Sequence, residues 1–279
     1  MKRPSWAPEE IDLSKPSVAR VYDFYLGGSH NFAVDRDMAA KAIGLWPDLP
    51  LIMQANRAFL RRAVRHLLDE GVTQFLDIGS GIPTVGSTHE IVRAAGSDAA
   101  VVYVDNDPVA VAHGRAILGT SEGTSNGTSD HTSDRTAMVG GDLRSPSEVL
   151  DAAAATELFD PARPVGLLLV AVLHFVRDDE RPAEIVRTFH RHLAAGSRIV
   201  LSHASADGRP ELAAEHEDLY RRRDAPMHMR NRDQVAALLA GFDLVDPGLV
   251  FLPEWRPEPG PAESDPARFT GYAGVGMKT

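Results

Sequence analysis

The chain has 279 residues, no cysteine and a formal net charge of −10. The absence of cysteine excludes disulfides, thiolate metal sites, iron–sulfur clusters and a cysteine nucleophile, and we expect no metal. The acidic balance argues against broad binding to nucleic acid, and no apolar run reaches the ~20 residues of a membrane-spanning helix. We therefore expect one domain with an N-terminal extension, and, because no signal-peptide pattern opens the sequence, a cytoplasmic protein.

The N-terminal quarter of the chain has helical patterning without strands. Residues 1–16 are polar and contain several prolines, which predicts an extended arm. Apolar periodicity and glycine or proline stops then predict a helix over 17–26, a second that Asn31 or Asp35 could cap and that runs through 39–45, and a third over 56–70. We expect residues 1–70 to form this arm and a helical lid, and residues 71–279 to form the main domain.

From residue 73 onward, short apolar strands alternate with amphipathic helices. The predicted strands cover 74–79, 100–105, 136–140, 165–171 and 198–202. The predicted helices cover 108–118, 145–157, 179–193 and 231–240. This alternation predicts an α/β fold with a parallel sheet. Two later runs, 242–251 and 269–277, have no helix between them and predict an antiparallel hairpin at one edge.

A polar segment over 119–135 repeats a Gly-Thr-Ser unit and has almost no apolar residue to bury. Such a composition predicts a flexible surface loop.

The first predicted strand ends in a glycine turn, Asp77-Ile78-Gly79-Ser80-Gly81. A Gly-x-Gly turn after a strand lets the backbone approach a ligand closely. The third glycine of a dinucleotide-binding motif is replaced here by Thr84. The acidic Asp77 also disfavours a pyrophosphate. The turn therefore argues against a nicotinamide dinucleotide and favours a ligand with a cationic group.

Acidic residues also follow the next two strands. Asp105 could accept both hydroxyls of a ribose, and Asp142 could accept from the exocyclic amine of adenine, although it could instead cap a helix. Asp107-Pro108 is better explained as a helix cap with proline in the first turn. An ammonium, a ribose and an adenine site in this order, without a phosphate site, match S-adenosylmethionine (SAM).

On these residues, the sequence resembles class I SAM-dependent methyltransferases. More narrowly, it resembles an actinobacterial family of S-adenosyl methyltransferases with no settled substrate. The segments that carry this resemblance cover 19–32, 75–84 and 169–174. It implies a Rossmann-like seven-stranded sheet of order 3-2-1-4-5-7-6, with strand 7 antiparallel and helices on both faces. It also implies SAM as the cofactor and S-adenosylhomocysteine (SAH) as the product.

The resemblance assigns roles at the methionine end of the cofactor. Asp77 and the carbonyl of Gly79 are expected to hold the ammonium, and Gly81 to approach the sulfonium. Ala171 and Val172, after the fourth strand, are expected to line the same end.

Further roles follow at the nucleoside end. The resemblance implies that Asp105 binds the ribose and Asn106 flanks the adenine, whose edge is read by Asp142 and the backbone N–H of Leu143. The remaining residues expected to bind the cofactor are Ser80, Thr84 and Asn31.

Three residues are candidates for catalysis. His174 follows the fourth strand, and His30 and Tyr22 lie in the predicted lid. Histidine titrates near neutral pH, so either histidine could be the base for a phenol or alcohol acceptor; packing or helix termination could equally explain all three. Arg57 could reach the methionine carboxylate, but a solvated helix arginine is the simpler interpretation.

These observations favour SAM-dependent methyl transfer to an O, N or C nucleophile on a small molecule. The alternative is a SAM- or SAH-binding regulatory protein without catalysis, which a plugged pocket at the sulfonium would favour. A nicotinamide oxidoreductase is disfavoured by Thr84 and Asp77. A nucleic-acid methyltransferase is disfavoured by the charge and by the lack of a basic stripe rich in aromatic residues.

Overall fold

A computed structural model describes residues 13–84, 86–119, 135–211, 227–260, 263 and 265–279. The helices in these ranges are α1 (Val18–Tyr25), α2 (Ala33–Leu45), α3 (Leu49–Asp69), α4 (Thr88–Ala94), α5 (Pro108–Leu118), α6 (Pro146–Ala154), α7 (Pro182–His192) and α8 (Arg232–Leu238). The strands are β1 (Gln74–Ile78), β2 (Ala100–Asp105), β3 (Thr136–Gly140), β4 (Gly166–Val170), β5 (Arg198–Ala204), β6 (Asp243–Leu244), β7 (Val250–Phe251) and β8 (Gly271–Met277).

These strands form one sheet of order β3-β2-β1-β4-β5-β8-β6, with β7 also paired to β8. Strands β1 to β5 run parallel, and β8 lies antiparallel to β5. The central strands β1 and β2 are buried along their whole length, as their apolar sequences require in a sheet covered on both faces. The Rossmann-like arrangement with one antiparallel strand is therefore confirmed.

The C-terminal part of the sheet differs from the prediction in detail. The single run predicted over 242–251 is divided into β6 and β7, which both pair with β8. Between them lies Asp246-Pro247-Gly248, where proline lacks a backbone donor and Gly248 has a φ of 84°. A strand cannot continue through such a turn. The antiparallel strand that enters the sheet beside β5 is consequently the eighth in chain order.

Helix boundaries show two further differences. Helix α3 begins at Leu49, well before the predicted start at residue 56, because Pro50 occupies its first turn, where a missing N–H costs nothing. Helix α4 was not predicted from the sequence. It is only Thr88–Ala94, too short for a clear periodic pattern.

The core lies on both faces of the sheet. On one face, Phe59 and Leu67 of α3 are fully buried in a cluster with Val200 of β5. On the other, Phe189 of α7 packs in a cluster with Leu167 of β4. Helix α3 is thus one of the helices that cover the sheet, although it lies within the segment predicted as arm and lid. The division near residue 70 stays a prediction.

Helices α1 and α2 are joined by a buried ion pair. Nε of Arg20 lies 2.7 Å from Oδ2 of Asp35, and the two side chains are 1% and 0% exposed. Asp35 also accepts the backbone N–H groups of Ser17 at 3.0 Å and Phe32 at 2.8 Å. One carboxylate therefore fixes the start of both helices.

This arrangement places α1 over the glycine turn after β1. The Ser17 hydroxyl donates to Oδ2 of Asp107 at 2.6 Å. A Cβ built on Gly81 would lie 3.4 Å from Cβ of Ala19. The start of α1 therefore covers the carboxyl ends of β1 and β2.

Two expectations concern residues that lie mainly outside the described ranges. Most of the predicted arm and nearly all of the Gly-Thr-Ser loop, residues 120–134, lie outside the described ranges. Within those ranges, no helix has the length and apolar character needed to cross a membrane.

We predict that Asp35→Ala lowers the free energy of unfolding by about 3–5 kcal/mol, because it leaves the buried Arg20 charge without its partner. Urea unfolding followed by circular dichroism measures the change. Asp37→Ala, on an exposed position of the same helix, is the control and should change stability by no more than about 0.5 kcal/mol. Equal effects of the two substitutions would contradict the role of the ion pair.

Candidate active site

A cavity of about 1060 Å³ lies at the carboxyl ends of the central strands, beneath α1 and beside α3. The carboxyl ends of parallel strands meet at one edge, so residues far apart in sequence converge there. The predicted site residues that line this cavity are Tyr22, Asp77, Gly79, Ser80, Gly81, Thr84, Asp105, Asn106, Leu143, Ala171, Val172 and His174.

The glycine turn has the backbone geometry that its sequence predicts. Gly79 and Gly81 have φ angles of 68° and 65°, in the region that disfavours other residues. A Cβ on Gly79 would collide with the side chain of Val172. The turn after β1 and the loop after β4 are therefore in direct contact, which only glycine at position 79 permits.

Asp77 is a buried carboxylate at the end of β1. Its Oδ2 accepts the Thr88 hydroxyl at 2.7 Å. Burial raises the pKa of Asp77 to about 6, against smaller lowering effects of Thr88 and the Arg57 charge. A carboxylate that is costly to ionise and lines a cavity fits a cationic ligand group, which would restore the lost stabilisation.

Asp105 holds the neighbouring backbone in place. Its Oδ2 accepts the N–H of Gly81 at 2.8 Å, and its Oδ1 accepts the N–H of Asp107 at 2.9 Å. Burial raises the pKa of this carboxyl to about 6 as well. Because an ionised carboxylate has about four acceptor positions, Asp105 retains capacity for ligand hydroxyls. Asp107 caps α5 by accepting from Val109, as predicted.

Asp142 is placed differently from its neighbours. Gly141, Leu143 and Arg144 line the cavity, whereas Asp142 does not. Its partly exposed carboxylate pairs with Arg144, with Nη1 and Oδ2 2.9 Å apart. It also accepts the backbone N–H of Arg144 at 2.9 Å, as a turn-capping residue does.

His30 and Asn31 do not line the large cavity. They lie at a second cavity of about 430 Å³ beside α5, where Nδ1 of His30 is 2.8 Å from Nε2 of His113. The Asn31 amide donates to Oδ2 of Asp23 and to the carbonyl of Gly28, both at 2.9 Å. Through hydrogen bonds to Asp23 and Gly28, both residues hold the loop between α1 and α2 in place.

His174 lies at the large cavity and is buried. Its Nδ1 accepts the backbone N–H of Ala204 at 3.4 Å, which leaves the proton of the neutral ring on Nε2.

The adjacent His203 donates from Nδ1 to the Ala204 carbonyl at 2.7 Å and accepts from Arg230 at 2.9 Å. Burial lowers its pKa to about 3, so it is neutral. Buried Arg230 also donates to the carbonyls of Leu173 and Val176 at 3.1 and 2.8 Å. It thereby fixes the His174 loop. Nothing in the sequence pattern identified this arginine.

A directional chain of hydrogen bonds connects β4 to α1. Ala171 has a φ of 57°, and its N–H donates to the Ser202 hydroxyl at 3.0 Å. Ser202 donates to Oδ1 of Asn56 at 2.6 Å, and Nδ2 of Asn56 donates to the Tyr22 hydroxyl at 2.9 Å. Tyr22 is the final acceptor, and no described residue accepts its proton. Its hydroxyl is consequently a donor for a ligand in the cavity.

The structure contradicts the simpler sequence-based interpretation of Arg57 as a solvated helix arginine. It lines the cavity, and its Cζ lies 5.5 Å from the centroid of the Tyr22 ring. Nη1 donates to the Gly86 carbonyl at 3.3 Å. Nε is buried and has no hydrogen-bond partner among the described residues. A cationic group with an unused buried donor, over the Tyr22 ring, fits a carboxylate.

The fold is Rossmann-like, and the sequence comparison identifies the family. The chain matches the S-adenosyl methyltransferase family over residues 4–279 and belongs to it. It is a SAM-dependent methyltransferase, with SAM as methyl donor and SAH as product. No curated protein gives a significant match.

Two solved structures are similar over nearly the whole chain. A DUF574 family protein from Streptomyces avermitilis is 34% identical, with 96% of this chain and 99% of that chain covered and a TM-score of 0.85. A candidate methyltransferase from Thermobifida fusca is 35% identical, with 99% and 100% covered and a TM-score of 0.86. The pyocyanin biosynthetic protein PhzM, 18% identical with a TM-score of 0.51, shares the fold.

We predict that Gly79→Ala weakens SAH binding by about tenfold or more, which is about 1.4 kcal/mol, because its Cβ would displace Val172 and the loop after β4. Isothermal titration calorimetry measures the affinity. Gly71→Ala is the matched control, since Gly71 has a φ of 81° with no atom within 4 Å of an added Cβ. It carries the same backbone cost, about 1–2 kcal/mol, and should leave SAH binding unchanged. Equal weakening by both would show that the contact with Val172 is unimportant.

Proposed function

We propose that this enzyme methylates an O, N or C nucleophile on a small molecule. The observation that carries the proposal is that one cavity is lined by the strand-end carboxylates and also, beyond them, by residues of α3 and by Met227 and Met229. A methyl donor at the strand ends would therefore have an adjoining space for its acceptor. This space favours turnover over a regulatory protein that only binds SAM or SAH.

The residues present fit the cofactor. When bound, SAM supplies an electrophilic methyl group on a sulfonium. Asp77 and the Gly79 carbonyl would hold the ammonium, and Asp105 would accept the ribose hydroxyls. Asn106 and the N–H of Leu143 would contact the adenine. Asp142 pairs with Arg144 and does not line the cavity, so a contact with the adenine would require its side chain to move.

The methionine carboxylate needs a cationic partner, and Arg57 is placed to provide it. The guanidinium has a buried Nε without a partner in the described structure. The Tyr22 hydroxyl next to it is a donor, because the hydrogen-bond chain from Ala171 ends there. We therefore propose that Arg57 and Tyr22 bind the carboxylate together, which makes Tyr22 a binding residue.

His174 is the candidate that would contact the acceptor. The Ala204 N–H on Nδ1 makes Nε2 a hydrogen-bond donor in the neutral ring. His174 would thus orient an oxygen or nitrogen of the acceptor. To act as a base, it would take the proton on Nδ1 and break the bond to Ala204. His30 does not line this cavity, so we propose a structural role for it.

Helix α1 would exclude water from the reaction, as expected of a lid. It covers the glycine turn, and the hydrogen bond from Ser17 to Asp107 holds it to the start of α5. Orientation of two reactants in a closed site can supply up to ~7–11 kcal/mol of the acceleration.

We predict that the protein binds SAH and that Asp105→Asn weakens this binding by about 10–150-fold, the effect of losing a charged hydrogen bond of about 1.5–3 kcal/mol. Calorimetry at pH 8 measures both affinities. Affinity should also fall at pH 5, by about tenfold for each of the two carboxylates that binding requires in its charged form. The pKa values of Asp77 and Asp105 are raised to about 6, so their charges, which favour the ammonium and the ribose hydroxyls, are lost as the pH falls through 6.

Asp69→Asn, an exposed change at the end of α3, is the control and should not alter SAH binding. Absence of SAH binding to the wild-type protein would refute the cofactor site. Unchanged binding by Asp105→Asn would refute the role of this carboxylate.

We predict that Arg57→Gln weakens SAH binding by about 10–150-fold, through loss of a charged hydrogen bond to the carboxylate. 5′-Methylthioadenosine has the same nucleoside without the amino-acid group, so its affinity should be unaffected. Calorimetric titration of wild-type protein and the variant with both ligands measures these affinities. An equal loss for both ligands would mean that Arg57 acts on the shape of the site and does not bind the carboxylate.

A further inference from the structure

We propose that the part of the cavity beyond the SAM residues binds an uncharged, largely apolar acceptor. This inference rests on the proposed function, because it identifies the class of molecule that the same enzyme methylates. We refer to this part, lined by Met38, Trp46, Ile52, Met53, Met227 and Leu252, as the acceptor chamber.

The face of α3 that lines the cavity is mostly apolar. Ile52, Asn56 and Leu60 are spaced four residues apart, and Met53 lies beside them, so all four project from one side of the helix. Asn56 is the one polar member of this group, and both ends of its amide are occupied, by Tyr22 and by Ser202. It therefore closes the hydrogen-bond chain next to the cofactor residues and offers little to an acceptor.

The opposing walls are apolar too. Met38 lies in α2 and Trp46 directly follows this helix, and both side chains are almost completely buried. Met227 and Leu252 also line the cavity and are buried. Methionine is flexible and polarisable, and it adapts to irregular apolar and aromatic ligands. A chamber with three methionines therefore suits a hydrophobic molecule better than a hydrated one.

Most of the charged groups at the cavity already have partners. Arg20 is paired with Asp35. The Asp23 carboxylate accepts at Oδ2 from the His30 backbone at 2.8 Å and from Asn31, while its buried Oδ1 has no hydrogen-bond partner among the described residues. Arg144 is paired with Asp142.

The remaining charged groups serve the cofactor, cap a helix or face solvent. Asp77, Asp105 and Arg57 belong to the proposed cofactor site. Asp107 caps α5 and accepts from Ser17, and Lys15 is exposed. An anionic acceptor would thus find no unpaired cation among the described residues of the chamber, and burying an unpaired charge is strongly unfavourable.

The size of the cavity is consistent with two ligands. Pockets for a single drug-sized molecule have volumes of roughly 300–1,000 Å³. The volume of about 1060 Å³ lies above this range. A cofactor at the strand ends would therefore leave space for an acceptor in the chamber.

The test compares two probes of similar shape and different charge on the SAH-saturated wild-type protein. 2-Naphthol is uncharged at pH 7, and 2-naphthoate is an anion. Calorimetric titration should show 2-naphthol binding at least about tenfold more tightly, a difference of about 1.4 kcal/mol. Equal binding, tighter binding of the anion, or no binding of either probe would overturn the proposal.

A pair of variants locates the probe. Met53→Glu places a charge in the chamber and should abolish 2-naphthol binding, whereas Leu51→Glu, at a residue 43% exposed on the same helix, should not. Met53→Gln, which adds polarity without charge, should weaken binding less than Met53→Glu. SAH affinity is measured for each variant, and its retention shows that the fold and the cofactor site are intact.

The possible failures are distinguishable. If wild-type protein fails to bind SAH, the proposed function itself is wrong. If SAH binds and Met53→Glu retains 2-naphthol binding, the cofactor site stands and the acceptor chamber is refuted.

Discussion

Two carboxylates buried at one edge of a parallel sheet are the constraint on which this site depends. Asp77 and Asp105 lose hydration without gaining a directly bonded cation among the described residues, and burial raises the pKa of each from 3.8 to about 6. A raised carboxyl pKa means that the folded chain binds protons more tightly than the unfolded chain. The stability of the free protein therefore falls as the pH rises from about 4 to about 6. A ligand with an ammonium group and hydroxyl donors would offset the free-energy cost of ionising these buried carboxyls.

The surrounding structure holds these carboxylates in place. Asp105 accepts the N–H groups of Gly81 and Asp107 and so determines the shape of the glycine turn and the start of α5. Val172 packs against Gly79, which aligns the loop after β4 with that turn. From Ala171, hydrogen bonds continue to Tyr22 on α1. The position of α1 is thus connected to the strand ends by polar contacts, and these contacts would change if α1 moved to admit a ligand.

Much of the fold could be predicted from local patterns. Strands β1 to β5 are continuous apolar runs that end at glycine or acidic residues, and α5 and α7 have strong periodicity, so their positions were confirmed. The prediction was wrong where a short element lacked a pattern, as at α4, and where a turn interrupted a strand-like run, as at 246–248. Arg57 was also misjudged, because its helical position gives no indication that it lies beneath the Tyr22 ring.

The sequence by itself determined the family and the approximate ligand. Strand-end residues converge through topology alone, so Asp77, Gly79, Gly81 and Asp105 had to meet at one edge of the sheet. Only the tertiary structure decided which side chains already have partners. Asp142 is bound to Arg144, and His30 lies against His113, away from the large cavity. The acceptor chamber is likewise built from α2, α3, residues 227–229 and residue 252, and these segments meet through packing between distant parts of the chain, which no local pattern encodes.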